Sequence, residues 1–108
     1  MDGPRAESRV PLVGVVLVVP MERGQPAMGQ AFTAITKELS TTGVALVLSE
    51  PRSLQEVIVG VRWEGEMTYL RAQAKHLNPM GGGFYQLGLQ IESVVHLGDY
   101  PQLESVNI

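Results

Sequence analysis

Apolar positions fall along the chain in short blocks of strand length, separated by clusters of glycine, proline and small polar residues. Residues 13–19 form the first block, broken only by Gly14, and read as a first strand. The stretch PMERGQPAMG at 20–29 carries two prolines and two glycines and reads as a loop. Residues 30–38 give a second strand, with Phe32 and Ala34 on one face, and 43–48 (GVALVL) a third. A turn at 50–53 leads into 56–63, where Val57, Val59, Val61 and Trp63 share a face. Glu64 and Gly65 form a hairpin turn into 66–77. There Met67, Tyr69 and Arg71 alternate with Thr68, Leu70 and Ala72, so either set could face inward. NPMGGG at 78–83 is the strongest break. The cleanest alternation follows at 84–91, with Tyr85, Leu87, Leu89 and Ile91 on one side and Gln86, Gly88 and Gln90 on the other. Beyond it, Gly98 and Pro101 exclude a long helix and leave a short helix or a loop.

Six strands so closely spaced predict an all-β fold, a six-stranded antiparallel β-barrel, because closure removes exposed edges. The sparse aromatics Trp63, Phe32, Phe84 and Tyr85 are expected in the core. The chain has 108 residues, the size of one domain. Its expected organisation is a flexible N-terminal arginine segment over 1–11, the barrel over 12–95 and a short C-terminal extension over 96–108.

Composition narrows the function classes. The formal net charge is -3 and no basic face is visible, so DNA and RNA are not expected partners. Two or three local arginines still suffice for a small anion. No cysteine is present, which excludes disulfides and thiolate metal sites, and His76 and His96 alone do not make a metal site. The apolar run at 10–19 is too short to span a membrane. Asp2 and Glu7 sit where a signal peptide would be positive, so the run reads as a strand and no direct membrane insertion is expected. No cofactor is expected. An enzyme is not expected either: neither histidine has an obvious nucleophile nearby, His76 closing a strand reads as structural or surface, and Glu64 and Glu66 flank a turn as solvated charges. The glycines at 81–83 lack the following Lys-Ser/Thr of a phosphate loop and read as a turn.

Two stretches carry candidate chemistry. PRAESRVPL at 4–12 holds Arg5 and Arg9 four positions apart. In a bent segment both guanidinia lie on one side and can grip a phosphate or a guanine edge bidentately; in an extended segment they stand roughly 13 Å apart as solvated charges. KELSTTGVAL at 37–46 sets an acid, a hydroxyl and a glycine between two strands, at Glu38, Ser40 and Gly43. Glu38 can accept two parallel hydrogen bonds from an N–H edge. Ser40 can donate to a phosphate or hold a water, and Gly43 permits a tight turn or close approach of a ligand. A polar turn between strands also needs no function. Arg62 and Arg71 are further candidates for stacking on a base near the rim.

Taken together and in this order, an R-x-x-x-R pair before the first strand and an acid-x-Ser-x-x-Gly turn between two later strands resemble the PilZ domain family. SRVPLVGVVLVV is similar to the family's approach to its first strand, FTAITKELSTTGVALVL to its strand–turn–strand block and FYQLGLQI to its closing strand, so the likeness covers roughly residues 5 to 92. The resemblance implies a six-stranded barrel and a non-enzymatic receptor for the bacterial second messenger cyclic di-GMP, with Arg5, Arg9, Glu38, Ser40 and Gly43 as the binding residues. Glu38 stands where the family has Asp or Asn, which moves the carboxylate outward by about 1.5 Å. The resemblance further implies a cytoplasmic domain whose N-terminal segment folds over the ligand. Its partner would be an effector protein or a fused domain, through which it could be recruited to a membrane. The alternative is a degenerate PilZ-like domain that binds another protein and no nucleotide.

Overall fold

The computed structural model describes residues 14–105, with side chains except at Trp63, Leu97 and Ser105. Arg5 and Arg9 lie outside the described residues, as does the side chain of Trp63. The strands are β1 (Val15–Glu22), β2 (Gln25–Pro26), β3 (Phe32–Leu39), β4 (Gly43–Leu48), β5 (Glu56–Trp63), β6 (Glu66–Gly81) and β7 (Phe84–Val95). They run in the order β2-β1-β3-β4-β7-β6-β5, and pairing of β1 with β5 closes the sheet. The result is a closed six-stranded antiparallel barrel, with β2 as a two-residue addition to β1.

The barrel interior is filled by the inward positions of all six strands, among them Val16, Val18, Ala34, Leu46, Val57, Val59, Ala72 and Leu87. A second cluster covers part of the outer surface. Leu17, Val19, Ile58 and Tyr69 point outward from β1, β5 and β6 and pack under Leu103, which is 1% exposed on the 3-10 turn Pro101–Ser105. Strands β1 and β5 are therefore buried on both faces, which is why their sequences are continuous apolar runs. Strand β7 has Leu87 and Leu89 inside while Gln90 is exposed outside, so it alternates. That open outer face spans β3, β4, β7 and the far half of β6.

Several expected boundaries shift. The loop expected at 20–29 is a small hairpin, with Arg23 (φ 53°) and Gly24 (φ 78°) at its tip, followed by a 3-10 turn at Met28–Gln30. The break expected at 78–83 is mostly strand: β6 runs to Gly81, and only Gly82 and Gly83 make the turn. Pro79 is tolerated because β6 stops pairing with β5 after Gln73, so one edge of this stretch needs no N–H. Strand β7 continues to Val95. Phe84 was expected in the core but is 49% exposed on the outer face. Among the described residues no helix is long and apolar enough to cross a membrane.

Candidate ligand site on the open face

Two β-bulges shape the open face. In β3 the register shifts between Thr36 and Glu38, and in β6 between Ala74 and His76. Each extra residue lets side chains three apart face the interior, Thr36 with Leu39 and Ala74 with Leu77. The residues between them, Lys37 with Glu38 and Lys75 with His76, are then left on the outward side. The strands β4 and β7 lie between the two bulges.

The pairing register lines up one row across four strands: Glu38, Ala45, Gly88 and His76. The end residues carry large polar groups and the middle pair carries a methyl and a hydrogen. At about 4.8 Å between strands, the row is roughly 14 Å long with a nearly bare backbone centre. His76 uses the bare position. A Cβ built on Gly88 would run into Nε2 and Cε1 of its ring, so the imidazole lies directly against the β7 backbone. The resulting recess has a volume of about 210 Å³ and is completed by Ser40, Thr42, Gly43 and Gln86. Lys37 borders it and donates from Nζ to Oε1 of Gln86 at 3.1 Å.

The turn from β3 to β4 is built by Ser40. Its Oγ accepts from the backbone N–H of Gly43 at 3.1 Å and of Thr42 at 3.3 Å, while its own N–H donates to the Gly43 carbonyl at 2.9 Å. The Ser40 hydroxyl thus shapes the turn, with one proton to direct to the Gly43 carbonyl, to Thr42 or outward. Gly43 is needed for close approach, because a Cβ there would lie 3.0 Å from the Leu89 carbonyl oxygen. The recess therefore brings together Glu38, Ser40 and Gly43 from the sequence motif. It adds His76, Gln86, Gly88 and Ala45, which sequence reasoning missed. The available signal was the parity break in each strand, since Thr36 and Leu39, or Ala74 and Leu77, cannot both face inward without a bulge.

Arg62 and Arg71 line neither this recess nor its neighbours. Arg71 Nε donates to Glu56 Oε2 at 2.6 Å, and this bonded carboxylate raises its already high pKa. No group of His, Asp or Glu among the described residues could hold a metal ion.

Gly14, the residue before β1, is bonded to β3 two positions before Glu38. Thr36, 1% exposed, donates from its backbone N–H to the Gly14 carbonyl at 2.8 Å, and its Oγ1 accepts from the Gly14 N–H at 3.1 Å. Gly14 is thus fixed opposite a residue only two positions from Glu38.

No family model matches the chain, and no curated protein does. Solved structures match it over most of its length. The PilZ domain of CeSA from a cellulose-synthesizing bacterium is 26% identical, with a TM-score of 0.56 over 85% of this chain and 86% of that one. The Bacillus subtilis inhibitor of motility MotI/DgrA is 17% identical, with a TM-score of 0.60 over 94% of this chain and 48% of that one. The K. pneumonia MrkH–c-di-GMP complex is 19% identical, with a TM-score of 0.60 over 95% of this chain and 50% of that one. The chain spans about half the length of MotI/DgrA and MrkH.

Proposed function

We propose that this chain, a PilZ-like domain, is a non-enzymatic receptor for cyclic di-GMP that acts in the cytoplasm. The observation that carries the reading is the row Glu38, Ala45, Gly88 and His76, a flat bare-centred shelf with an acceptor at one end and an imidazole at the other. A planar guanine laid on that backbone meets Glu38 with its N–H edge. The names of the similar structures support it: one is a PilZ domain and another a complex with c-di-GMP.

The phosphates need cations. Arg9 is five residues before the anchored Gly14 and Arg5 nine, so at about 3.5 Å per residue they reach roughly 18 and 32 Å from that anchor. Glu38 is about 7 Å along the strand from Thr36. Both arginines can therefore fold back over the shelf, and this movement transmits the signal to an effector protein or a fused domain.

Isothermal titration with cyclic di-GMP tests the reading. Micromolar or tighter binding is expected. The double variant Arg5→Ala/Arg9→Ala loses at least about 100-fold, because each charge-assisted hydrogen bond contributes about 1.5–3 kcal/mol. No heat of binding from the folded wild type refutes the receptor reading and favours the second one, a PilZ-like domain that binds only a protein. That second reading draws on an apolar outer row beside the shelf, where Val15 is 60% and Ile35 49% exposed.

A further inference from the structure

The outer surface of the barrel is covered on one side only. Leu103 closes over the outward residues Leu17, Val19, Ile58 and Tyr69. On the other side Val15, Ile35 and Val47 stand in register across β1, β3 and β4, and Val15 and Ile35 remain exposed. Phe84 and Met80, both exposed, extend this row onto β7 and β6. Of the five large apolar side chains exposed among the described residues, four therefore lie together, and only Val94 stands apart. Single exposed apolar residues are ordinary on a protein surface, but a contiguous group marks a contact.

Between Val15, Thr33, Ile35, Val47, Ser49 and Phe84 lies an open recess of about 310 Å³, and no ionisable side chain lines it. The face crosses five strands about 4.8 Å apart and two rows of outward side chains, so it presents roughly 300 Å². A stable interface takes about 800 Å² from each partner, with its apolar part at the centre and a polar rim around it. The face has the size of such a centre. Gln86 and Asn78, which continue the row of Val47, and Lys37, two positions beyond Ile35, are placed to form the rim.

A two-fold contact sets the same surface against itself. An uncharged face meets its own copy without like-charge repulsion, whereas a charged partner finds nothing in the recess to pair with. The half-exposed Phe84 ring stands at the margin of the recess, so each copy offers both a projecting group and a space. We propose that this face joins two copies of the chain, packed sheet to sheet through Val15, Ile35, Val47 and Phe84 as a weak symmetric dimer. The contact needs no nucleotide, so it goes beyond the receptor reading and stands or falls separately from it.

Analytical ultracentrifugation of the full chain without nucleotide, from about 5 to 500 μM, tests the proposal. The mass is expected to rise from 11.7 kDa towards twice that value. The dissociation constant expected for so small an apolar centre is about 10–100 μM. Ile35→Lys and Phe84→Lys each place a cation against its own copy and weaken association at least about tenfold. Both positions are exposed, so thermal unfolding of each variant stays within about 4 °C of wild type. Val94→Lys is the control: it also charges an exposed apolar position, but one at the far end of β7, on the order of 30 Å from Phe84, and leaves association unchanged. A wild type that stays monomeric at about 500 μM overturns the proposal and leaves the face to a different protein. Association that both face variants leave unchanged also overturns it, as does a loss in Val94→Lys as large as in Ile35→Lys.

Discussion

Replacing Gly88 with alanine separates the stability of the barrel from the shape of the shelf. The new Cβ collides with Nε2 and Cε1 of His76 and lies 3.1 Å from Cδ2. All of these atoms belong to the tip of an exposed side chain, so the ring can swing away without moving the backbone. Removing a strand glycine favours folding by about 0.5–1 kcal/mol, and loss of the ring's packing on β7 opposes it by a similar amount. The net change is within about 1 kcal/mol, a shift in Tm of no more than about 4–8 °C for a domain of this size. Binding responds more strongly, because both the methyl and the displaced imidazole crowd a recess of about 210 Å³. At least a tenfold loss of cyclic di-GMP affinity is expected, equivalent to about 1.4 kcal/mol.

Thermal unfolding and calorimetric titration of Gly88→Ala, His76→Ala and the double variant form a double-mutant cycle. Without the ring the three atoms nearest the extra Cβ are gone, so the stability effects of the two changes should couple by about 0.5 kcal/mol or more. A loss above about 2 kcal/mol in Gly88→Ala that His76→Ala does not relieve would refute the reasoning, because it would mean that the backbone and not the imidazole requires glycine there.

Thr36→Val removes the hydroxyl that holds the Gly14 N–H; leaving this donor unpaired costs about 1–3 kcal/mol by urea denaturation, and cyclic di-GMP affinity also falls although the recess is untouched. Leu103→Ala empties the plug over β1 and β5 and costs about 2–4 kcal/mol by the same assay, with ligand affinity unchanged. Burial raises the pKa of Tyr69, and Arg62 partly opposes the shift. The native state therefore holds this proton more tightly than the unfolded chain does. The stabilising contribution is complete below about pH 10 and is lost as pH rises through the native value, so Tyr69→Phe should flatten that alkaline decline in Tm.

The barrel could be read from the chain because its strands announce themselves in two ways. Where β1 and β5 are covered on both faces, VVLVV and VIVGV are continuous; where β7 is open on one face, QLGLQ alternates. The turn at Glu64 and Gly65 was legible from its residue types, and both adopt positive φ, 50° and 83°. What could not be read directly was the register. A bulge changes the side of every later residue in its strand, and nothing at Lys37 or Lys75 marks the insertion by composition. His76 was therefore read as structural or surface, although it closes the shelf. Phe84 was read as core by its type, but in β7 it shares the outward parity of Gln86 and Gly88, opposite to Tyr85, Leu87 and Leu89. The motif residues Glu38, Ser40 and Gly43 were legible as a unit because they lie close in sequence on one hairpin.

The charge around the shelf shows why such a site would be split between barrel and N-terminal segment. Of the described residues at its edge, Lys37 is positive and Glu38 negative, and His76 is formally neutral. These cancel, whereas the proposed ligand carries two phosphates. The Glu38 carboxylate alone would repel it, at roughly 1 kcal/mol for 4 Å in bulk water and more near a protein surface. A permanently basic shelf would relieve this, but it would attract any polyanion. On the proposed reading Arg5 and Arg9 would supply the charge instead, which would tie binding to the approach of the residues that precede Gly14. An anion that fits the shelf would then hold those arginines in place, and one that fits poorly would meet only the cancelling charges of Lys37 and Glu38 at its edge. Selectivity and signal would then come from the same proposed step, the approach of two cations to a shape that the β3 and β6 bulges have already formed.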